Sequence, residues 1–203
     1  MKVLDKLFGS QDRVKIMRLF ILNREQVFEN ADISKRAKVS TRSLSKELAL
    51  LGSIGLIKKK SVFVEKESKG GKKKTKINGW QTNVGFVFLA PLEKLLFNAE
   101  LYKDSDLIER LKKAGKLKLV VTAGIFMNDD NSRADLLVVG DYLKRNILDS
   151  SIKVIESEMG RELNYGVFDT NDFVYRLSVC DKFVRDVLDF PHKKILNKFE
   201  NLA

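Results

Sequence analysis

The heptapeptide Ser40-Thr41-Arg42-Ser43-Leu44-Ser45-Lys46 opens the stretch that decides the fold, which runs from Val39 to Lys76. Ser40 or Thr41 is a suitable N-cap, so a helix is predicted to begin here. One face of this helix is predicted to be buried, because leucines recur at the spacing i, i+4, i+7: Leu44, Leu48 and Leu51. Arg42 and Lys46 lie roughly opposite these leucines. The predicted helix therefore presents a polar and basic face to solvent.

A basic hairpin is predicted to follow this helix. Val62-Phe63-Val64 is rich in residues that favour strands, and Lys74-Thr75-Lys76-Ile77 can form the returning strand. The polar, glycine-bearing residues 65–73 predict a loop between them. Two further helices are predicted upstream from their apolar spacing, at residues 11–23, with Ser10 as the N-cap, and at residues 31–38. The order of elements is therefore helix, helix, helix, hairpin.

The positive charge of the chain is concentrated in its first part. The net charge is +11, and residues 1–83 hold 20 Lys/Arg against 8 Asp/Glu, a net of +12. Residues 84–203 are close to neutral, with 18 Lys/Arg against 19 Asp/Glu. Such asymmetry predicts a polyanionic partner for the first part alone. Nucleic acid is favoured over a membrane surface, because no basic amphipathic helix with Trp or Phe anchors accompanies the charge.

Double-stranded DNA is the polyanion that this arrangement favours. Arg42 is the best candidate for a bidentate contact with guanine, and its neighbours on the helix would mix base and phosphate contacts. RNA is disfavoured because the aromatic residues occupy apolar positions rather than alternating with basic ones. The alternative for any single lysine is an ordinary solvated surface charge. The candidate DNA-binding residues are Lys35, Arg36, Lys38, Ser40, Thr41, Arg42, Ser43, Lys46, Lys58, Lys59, Lys60, Lys69, Lys72, Lys73, Lys74 and Lys76.

The element order and the residues from Ala31 to Leu48 resemble the winged-helix transcriptional regulators of the arsenic-repressor-like type. The resemblance covers roughly residues 8–80. It implies a recognition helix followed by a wing, and a homodimer. The chain has one cysteine, Cys180, and one histidine, His192. Paired metal-sensing ligands of that family are therefore missing, and no disulfide can form within the chain.

The second half alternates predicted strands and helices, which indicates an α/β or α+β domain. Strands are predicted at 117–124, 134–139 and 163–168, with Gly140 ending the second. Helices are predicted at 105–114, at 143–159, after Thr170 as the N-cap of a helix that holds Phe173 and Leu177, and at 181–188. Before them, residues 80–101 are apolar, and Pro91 is a plausible helix start. We interpret that segment as a packed junction, with a dimer seam as the alternative.

The stretch Val121-Thr122-Ala123-Gly124-Ile125-Phe126, followed by Ser132-Arg133-Ala134-Asp135-Leu136-Leu137-Val138, resembles the minimal nucleotidyltransferase fold. That family places a Gly-Ser turn after its first strand, where it cradles a triphosphate. An Asp-x-Asp pair on the next strand and a third carboxylate from a later strand hold two magnesium ions. Fusions of a winged helix with such a domain occur among predicted prokaryotic regulators, and the whole chain resembles one of these.

The residues depart from this catalytic pattern. Gly124 is present but Ile125 replaces the serine, and Arg133 stands where the first aspartate is expected. Asp135 is the remaining acid of the pair, and the third strand carries none. Asp129 and Asp130 in the preceding loop are the alternative carboxylates. We therefore expect a degenerate nucleotide site at Gly124, Arg133 and Asp135, with no catalytic residues, no metal and no cofactor.

The predicted architecture is α+β, an N-terminal winged helix-turn-helix plus a C-terminal nucleotidyltransferase-like α/β domain with a small mixed sheet. Predicted domains are residues 1–83, a helical connector at 84–115, and residues 116–203. The expected function is a non-enzymatic transcriptional regulator whose second domain dimerises or senses an anionic ligand near Arg133. The alternatives are an active nucleotidyltransferase and a nucleotidyltransferase-like partner of a toxin–antitoxin pair.

The expected location is the cytoplasm. The sequence contains no run of about 18 apolar residues, so no membrane span is expected. Met1–Lys6 lacks the apolar region of a signal peptide. A single cysteine also suits a reducing compartment.

Overall fold

The fold was analysed in a computed structural model, which describes residues 2–68, 71–97, 103–127, 129, 132 and 134–199. It combines helices with two small sheets, as the predicted α+β class requires. The chain divides into two compact units. Unit 1 comprises residues 1–98 and 156–161, and unit 2 comprises residues 99–155 and 162–203. Within the ranges described, no helix is both long enough and apolar enough to cross a membrane.

Unit 1 contains the predicted succession of helices and a hairpin. Its elements are α1 (Lys2–Phe8), α2 (Gln11–Leu22), α3 (Asn30–Ala37), α4 (Thr41–Ser53), β1 (Ile57–Ser68), β2 (Gly71–Thr82) and α5 (Leu89–Leu96). The leucines Leu44, Leu48 and Leu51 of α4 are buried, as their spacing predicts. Ser10 caps α2 and Ser40 caps α4, each accepting a hydrogen bond from a main-chain N–H three residues on. Helix α1 was not predicted, and α5 begins two residues before Pro91.

Helix α2 is the centre of unit 1. All eight residues from Val14 to Ile21 are buried, whereas the apolar spacing predicted one buried face. The reason is that α1, α3, α4, α5 and β2 all contact α2. Arg18 is fully buried in this setting and donates to the carbonyls of Leu96 (Nη2, 2.7 Å) and Glu158 (Nη1, 2.8 Å). Since helix C-termini leave carbonyls without intrahelical partners, the buried guanidinium satisfies groups that would otherwise be costly to bury.

The hairpin is longer than predicted. Strands β1 and β2 pair antiparallel over twelve residue pairs, from Ile57↔Thr82 to Ser68↔Gly71, without a register shift. Residues 65–68 and 71–73, which we predicted as loop, therefore belong to strands. Their polar side chains give a weak strand signal, but the pairing satisfies their main-chain N–H and C=O groups. At about 3.3 Å per residue, each strand is about 40 Å long.

Unit 2 is built on a four-stranded mixed sheet. Its elements are α6 (Asp104–Lys112), β3 (Lys116–Ala123), a short 3-10 helix (Gly124–Met127), β4 (Leu136–Asp141), α7 (Arg145–Met159), β5 (Tyr165–Phe168), α8 (Thr170–Ser178), α9 (Lys182–Asp189) and β6 (His192–Asn197). The strand order is β5-β4-β3-β6. Strand β4 is antiparallel to β3 and parallel to β5, and β6 is antiparallel to β3. Phe173 of α8 and Val184 of α9 pack on one face of this sheet.

Three sequence predictions for unit 2 were wrong in detail. Gly140 lies inside β4, where an added Cβ would meet the carbonyl oxygen of Lys116, so it permits close strand pairing instead of ending the strand. Asp169, and not Thr170, caps α8 by accepting from the N–H of Asp172 at 2.7 Å. Strand β6 was missed because its lysines dilute the apolar signal, as is common on edge strands.

The apolar segment after β2 is packed only in part. Leu89 and Leu96 are buried, but the side chains of Val87 and Phe88 are 83% and 61% exposed. The interpretation of this segment as a buried junction therefore holds for α5 and fails for the residues just before it.

Candidate nucleic-acid interface

The turn between α3 and α4 fixes the orientation of the start of α4. Lys38 adopts a left-handed conformation (φ 50°) and its N–H donates to the carbonyl of Ser34. The Ser34 hydroxyl donates to the carbonyl of Val39 at 2.7 Å, and Val39 is buried. The side chain of Ser40 then accepts from the N–H of Ser43 at 3.3 Å. The turn is thus held by main-chain groups together with the hydroxyls of Ser34 and Ser40, and the first residues of α4 are exposed.

The exposed face of α4 carries polar side chains, several of which are short. Arg42 and Lys46 lie on it, as predicted, and so does Thr41. Ser45 and Ala49, which we did not single out, extend the same face at helical spacing. Ser45 donates to the carbonyl of Thr41 at 3.1 Å, so its hydroxyl stays close to the helix. The face therefore combines two long cationic side chains with short ones.

Ser43 does not share this face. It is half-buried, and its hydroxyl donates to the carboxylate of Asp12 in α2. Ser43 therefore helps to hold α4 on α2 and is not a free contact residue. Ser40 remains exposed, although its hydroxyl oxygen serves as the helix cap.

A partly buried ion pair holds α4 against α2, and it was not predicted from the sequence. Arg13 Nε lies 2.7 Å from Glu47 Oε2, and Arg13 Nη1 also donates to the carbonyl of Phe8 at 2.6 Å. On the helical wheel Glu47 lies beside Leu51, about 60° from Leu44, so helical spacing places it at the edge of the buried leucine stripe. A carboxylate there needs a cationic partner. This reasoning could have identified the anchor from the sequence.

The base of the hairpin is anchored to the segment between α2 and α3. Phe28 and Trp80 exchange two main-chain hydrogen bonds of 2.9 Å, which add a short bridge to the hairpin. Gly79 permits this approach, because an added Cβ would lie 2.3 Å from the carbonyl oxygen of Phe28. Gln81 donates to the carbonyl of Glu25 at 2.7 Å and Thr82 to that of Phe20 at 2.6 Å. The hairpin therefore leaves the body in a fixed direction.

The candidate lysines of the hairpin are distributed along it. Lys59 lies over the ring of Trp80, with Nζ 5.6 Å from its centroid, and Lys60 donates to Gln81 Oε1 at 2.8 Å. Lys58, Lys74 and Lys76 are also exposed. Lys72 and Lys73 are placed in β2 by their backbone, and Lys69 lies outside the described residues. The described lysines therefore extend from the anchored base, where Lys58, Lys59 and Lys60 lie, to the projecting part of the hairpin, where Lys74 and Lys76 lie.

The basic residues of α3 and its cap are less uniform. Lys35 and Lys38 are exposed. Arg36 is half-buried, with its guanidinium 5.4 Å from the centroid of the Phe28 ring. Part of the Arg36 side chain therefore covers the bridge at the hairpin base.

The predicted nucleotide site in unit 2 has a structural role. Asp135 is buried, with Oδ1 accepting from the N–H of Ile125 at 3.0 Å and Oδ2 accepting from the N–H of Asn164 at 2.9 Å. It thereby joins the turn after β3 to the segment before β5. Gly124 has a φ of 52°, and an added Cβ would lie 2.4 Å from Asp135 Oδ1. Gly124 and Asp135 thus meet as predicted, while Arg133 and Asp130 lie outside the described residues.

Each oxygen of the Asp135 carboxylate thus accepts one hydrogen bond from the backbone. Among the residues with described positions, no group of three or more His, Cys, Asp or Glu side chains is placed to hold a metal ion. The described contacts of Asp135 are those of a buried carboxylate that caps two backbone N–H groups.

Asp181 lies between α8 and α9, and its side chain caps α9. Its Oδ1 accepts from the N–H of Val184 and of Phe183, and its Oδ2 lies 3.0 Å from Arg176 Nη1. The Val184 N–H, followed by the charge of Arg176, holds the pKa of the Asp181 carboxyl below its ordinary value. The hydrogen bond to Asp172 is the main cause that raises the pKa of Arg176. These contacts stabilise the connection between α8 and α9.

Comparisons with known proteins add no family to this description: no protein-family model, no curated protein and no solved structure matches the chain.

Proposed function

We propose that this chain is a DNA-binding transcriptional regulator of the winged helix-turn-helix type. The observation that carries the proposal is the exposed face of α4, with Arg42 and Lys46 on it, beside a lysine-bearing hairpin in the most basic part of the chain. Such a face has the chemistry to contact both base edges and phosphates.

Helix α4 has the dimensions that the major groove accepts. Its thirteen residues span about 20 Å, and the groove is about 12 Å wide. Arg42 supplies the bidentate donor that guanine recognition requires, and Lys46 one turn later is a further donor. Ser45 and Ala49 are short, so the helix backbone can approach the bases closely. An exposed alanine methyl also suits contact with a thymine methyl.

The hairpin is the proposed source of non-specific affinity. Lysines at phosphates release counterions but carry little sequence information. In this proposal Lys58, Lys59, Lys60, Lys74 and Lys76 contact phosphates beside the groove that α4 occupies. Lys35 and Lys38, at the exposed end of α3, contact the phosphates on its other side.

Unit 2 is proposed to be a catalytically degenerate nucleotidyltransferase-like domain. Its succession of α6, β3, β4, α7, β5 and α8, with the mixed strand order β5-β4-β3, supports this fold assignment. Both oxygens of Asp135 accept from the backbone, which supports a non-enzymatic role. We propose that the domain dimerises or binds an anionic ligand near Arg133. Labelled nucleoside triphosphates with magnesium are expected to give no transfer product above a no-protein control.

A homodimer in the cytoplasm is the proposed state. Dimeric regulators bind two half-sites about one helical turn apart. The exposed side chains of Val87 and Phe88 are available for such an interface. Sedimentation equilibrium tests the state, and a mass equal to one chain at micromolar concentration would contradict it.

The decisive experiment is selection of bound duplexes from a random pool by the purified protein. A selected consensus is then used to compare Arg42→Ala with Arg185→Ala, which removes the same charge from an exposed helical position of unit 2. We expect Arg42→Ala to relax the preference at one base pair, by a factor of about 10. Arg185→Ala should leave the consensus and the affinity unchanged.

The salt dependence of binding tests the role of the hairpin. Affinity for duplex DNA should fall by orders of magnitude between about 50 and 200 mM salt. The double variant Lys74→Gln and Lys76→Gln should reduce the log–log slope by about 2. The matched control, Lys112→Gln with Lys113→Gln, removes the same charge from unit 2 and should keep the slope. No binding to duplex at low salt, or equal slopes for both double variants, would refute the proposal.

A further inference from the structure

Phe63 is an apolar side chain in the middle of the basic hairpin. It lies in β1, and its side chain is 72% exposed. Its cross-strand partner is Lys76, and the next described pair on the same face toward the hairpin tip is Glu65 with Lys74. The register therefore places an exposed aromatic ring among lysines.

The hairpin holds this ring in a defined place. On the same face toward the base, the Ser61 hydroxyl is hydrogen-bonded to Asn78 Oδ1, and Lys59 lies over Trp80. Phe63 is six residues beyond Ile57, where β1 begins, so it lies about 20 Å along the strand. The backbone of Phe63 is paired on β2, and its ring is thus carried outward on a regular ribbon.

The surroundings of the ring select its partner. An apolar protein surface placed over Phe63 would also cover the ammonium group of Lys76, which lies directly across the ladder and is costly to bury. Duplex DNA offers an apolar stack of base pairs edged by phosphates, so it complements the ring and the lysines together. Side chains such as Phe are known to act as wedges between base steps and to kink the duplex.

We propose that Phe63 inserts between neighbouring base pairs of the bound duplex and bends it, while Lys74 and Lys76 contact the adjacent phosphates. This inference rests on the proposed DNA-binding function and adds a deformation of the DNA to it. Sequence preference then extends to base steps that unstack easily, such as pyrimidine–purine steps, at positions without hydrogen-bonded contacts.

The test uses the full chain and the selected duplex, labelled at its ends with a donor and an acceptor dye. A second duplex carries 2-aminopurine, whose fluorescence rises on unstacking, at each candidate step in turn. Phe63→Ala is compared with Phe63→Leu, which keeps an apolar wedge. Phe190→Ala is the matched control, because it truncates an exposed phenylalanine of unit 2, outside the hairpin and outside the proposed dimer interface.

The wild-type chain and Phe190→Ala are expected to shorten the dye distance and to raise 2-aminopurine fluorescence at one step. Phe63→Ala should lose both signals and bind about tenfold more weakly, with an unchanged salt slope because every lysine remains. Phe63→Leu should keep most of the bend, which also establishes that position 63 tolerates substitution.

Two results would overturn the inference alone: a duplex left straight by the wild-type chain, or equal bending by Phe63→Ala. In both, the lysine-dependent duplex binding of the proposed function would still stand. Tighter binding to a single strand than to the duplex would assign the ring to base stacking on single strands and would also overturn it. Failure of every variant to bind duplex DNA would refute the underlying function.

Discussion

Arg13 and Glu47 form an ion pair, with 2.7 Å between Nε and Oε2, that joins α2 to the helix proposed to enter DNA. The Glu47 side chain is 4% exposed and the Arg13 side chain 23% exposed, so the carboxylate has little access to water. Together with the hydrogen bond from Ser43 to Asp12, this pair attaches the buried side of α4 to the start of α2. The orientation of the exposed face of α4 therefore depends on residues that are not on that face.

Replacing Glu47 should destabilise unit 1. Because Glu47→Gln leaves a cation half-buried beside an uncharged amide, we expect a loss of about 1–3 kcal/mol in the free energy of unfolding. Urea denaturation measures it. The exposed pair Arg185–Asp189 is the control, and Asp189→Asn should cost less than about 0.5 kcal/mol. The double variant Arg13→Met with Glu47→Leu should recover most of the loss; equal stability of Glu47→Gln and wild type would contradict this account.

Lys38→Gly should stabilise the turn between α3 and α4. Lys38 has a φ of 50°, a conformation that glycine adopts without steric cost, and the expected gain is about 0.5–1 kcal/mol. Lys35→Gly removes the same charge from the interior of α3 and should cost about 1 kcal/mol. Thermal melts compare the two. A loss of stability in both variants would show that the lysine side chain, and not the backbone conformation, matters at position 38.

Asp135→Asn should destabilise unit 2 and leave no catalytic signature. An amide can accept at one of the two positions but would present N–H groups to a backbone N–H at the other. The expected cost is about 2–4 kcal/mol. Asp149→Asn is the control, because Asp149 accepts only a long hydrogen bond of 3.4 Å from Tyr165. Magnesium at millimolar concentration should not raise the melting temperature of the wild-type chain. A magnesium-dependent rise that Asp135→Asn abolishes would show that the carboxylate binds the metal.

Asp181 should contribute to an acid-dependent loss of stability. Because the folded state lowers the pKa of its carboxyl, the contribution is present above the unfolded-state pKa and is lost as the pH falls through the folded-state value. Asp181→Asn keeps a capping oxygen but cannot be ionised. The difference in urea midpoint between wild type and Asp181→Asn should therefore be largest near neutral pH and shrink below about pH 4. A constant difference from pH 7 to acid would contradict an electrostatic origin.

Much of the helical framework was predictable, because periodic apolar residues and caps are local signals. Ser10, Ser40 and the leucines of α4 are examples. The length of the hairpin was not predictable in this way, since polar residues 65–68 and 71–73 become strand through pairing with each other. Strand β6 was hidden for a similar reason: its pairing with β3 involves residues about 70 positions away.

The residues on the exposed face of the candidate site were predictable from the sequence, but the side-chain contacts between residues distant in sequence were not. Arg42 and Lys46 follow from their position opposite the leucines. Ser43 has a side-chain partner, Asp12, that is 31 residues away, and no local pattern shows that contact. The buried setting of Asp135 likewise depends on Asn164, which only the folded sheet brings near.

Because the register of the hairpin is unbroken, the length of the hairpin can change without a change in the contacts that anchor its base. Removing one residue from each strand at the tip shortens the ribbon by a single rung, and the faces of all remaining residues are kept. A residue inserted in one strand alone would either form a bulge or turn every side chain beyond it to the opposite face. The hairpin can therefore be lengthened or shortened by equal numbers of residues in both strands without changes to the helices of unit 1.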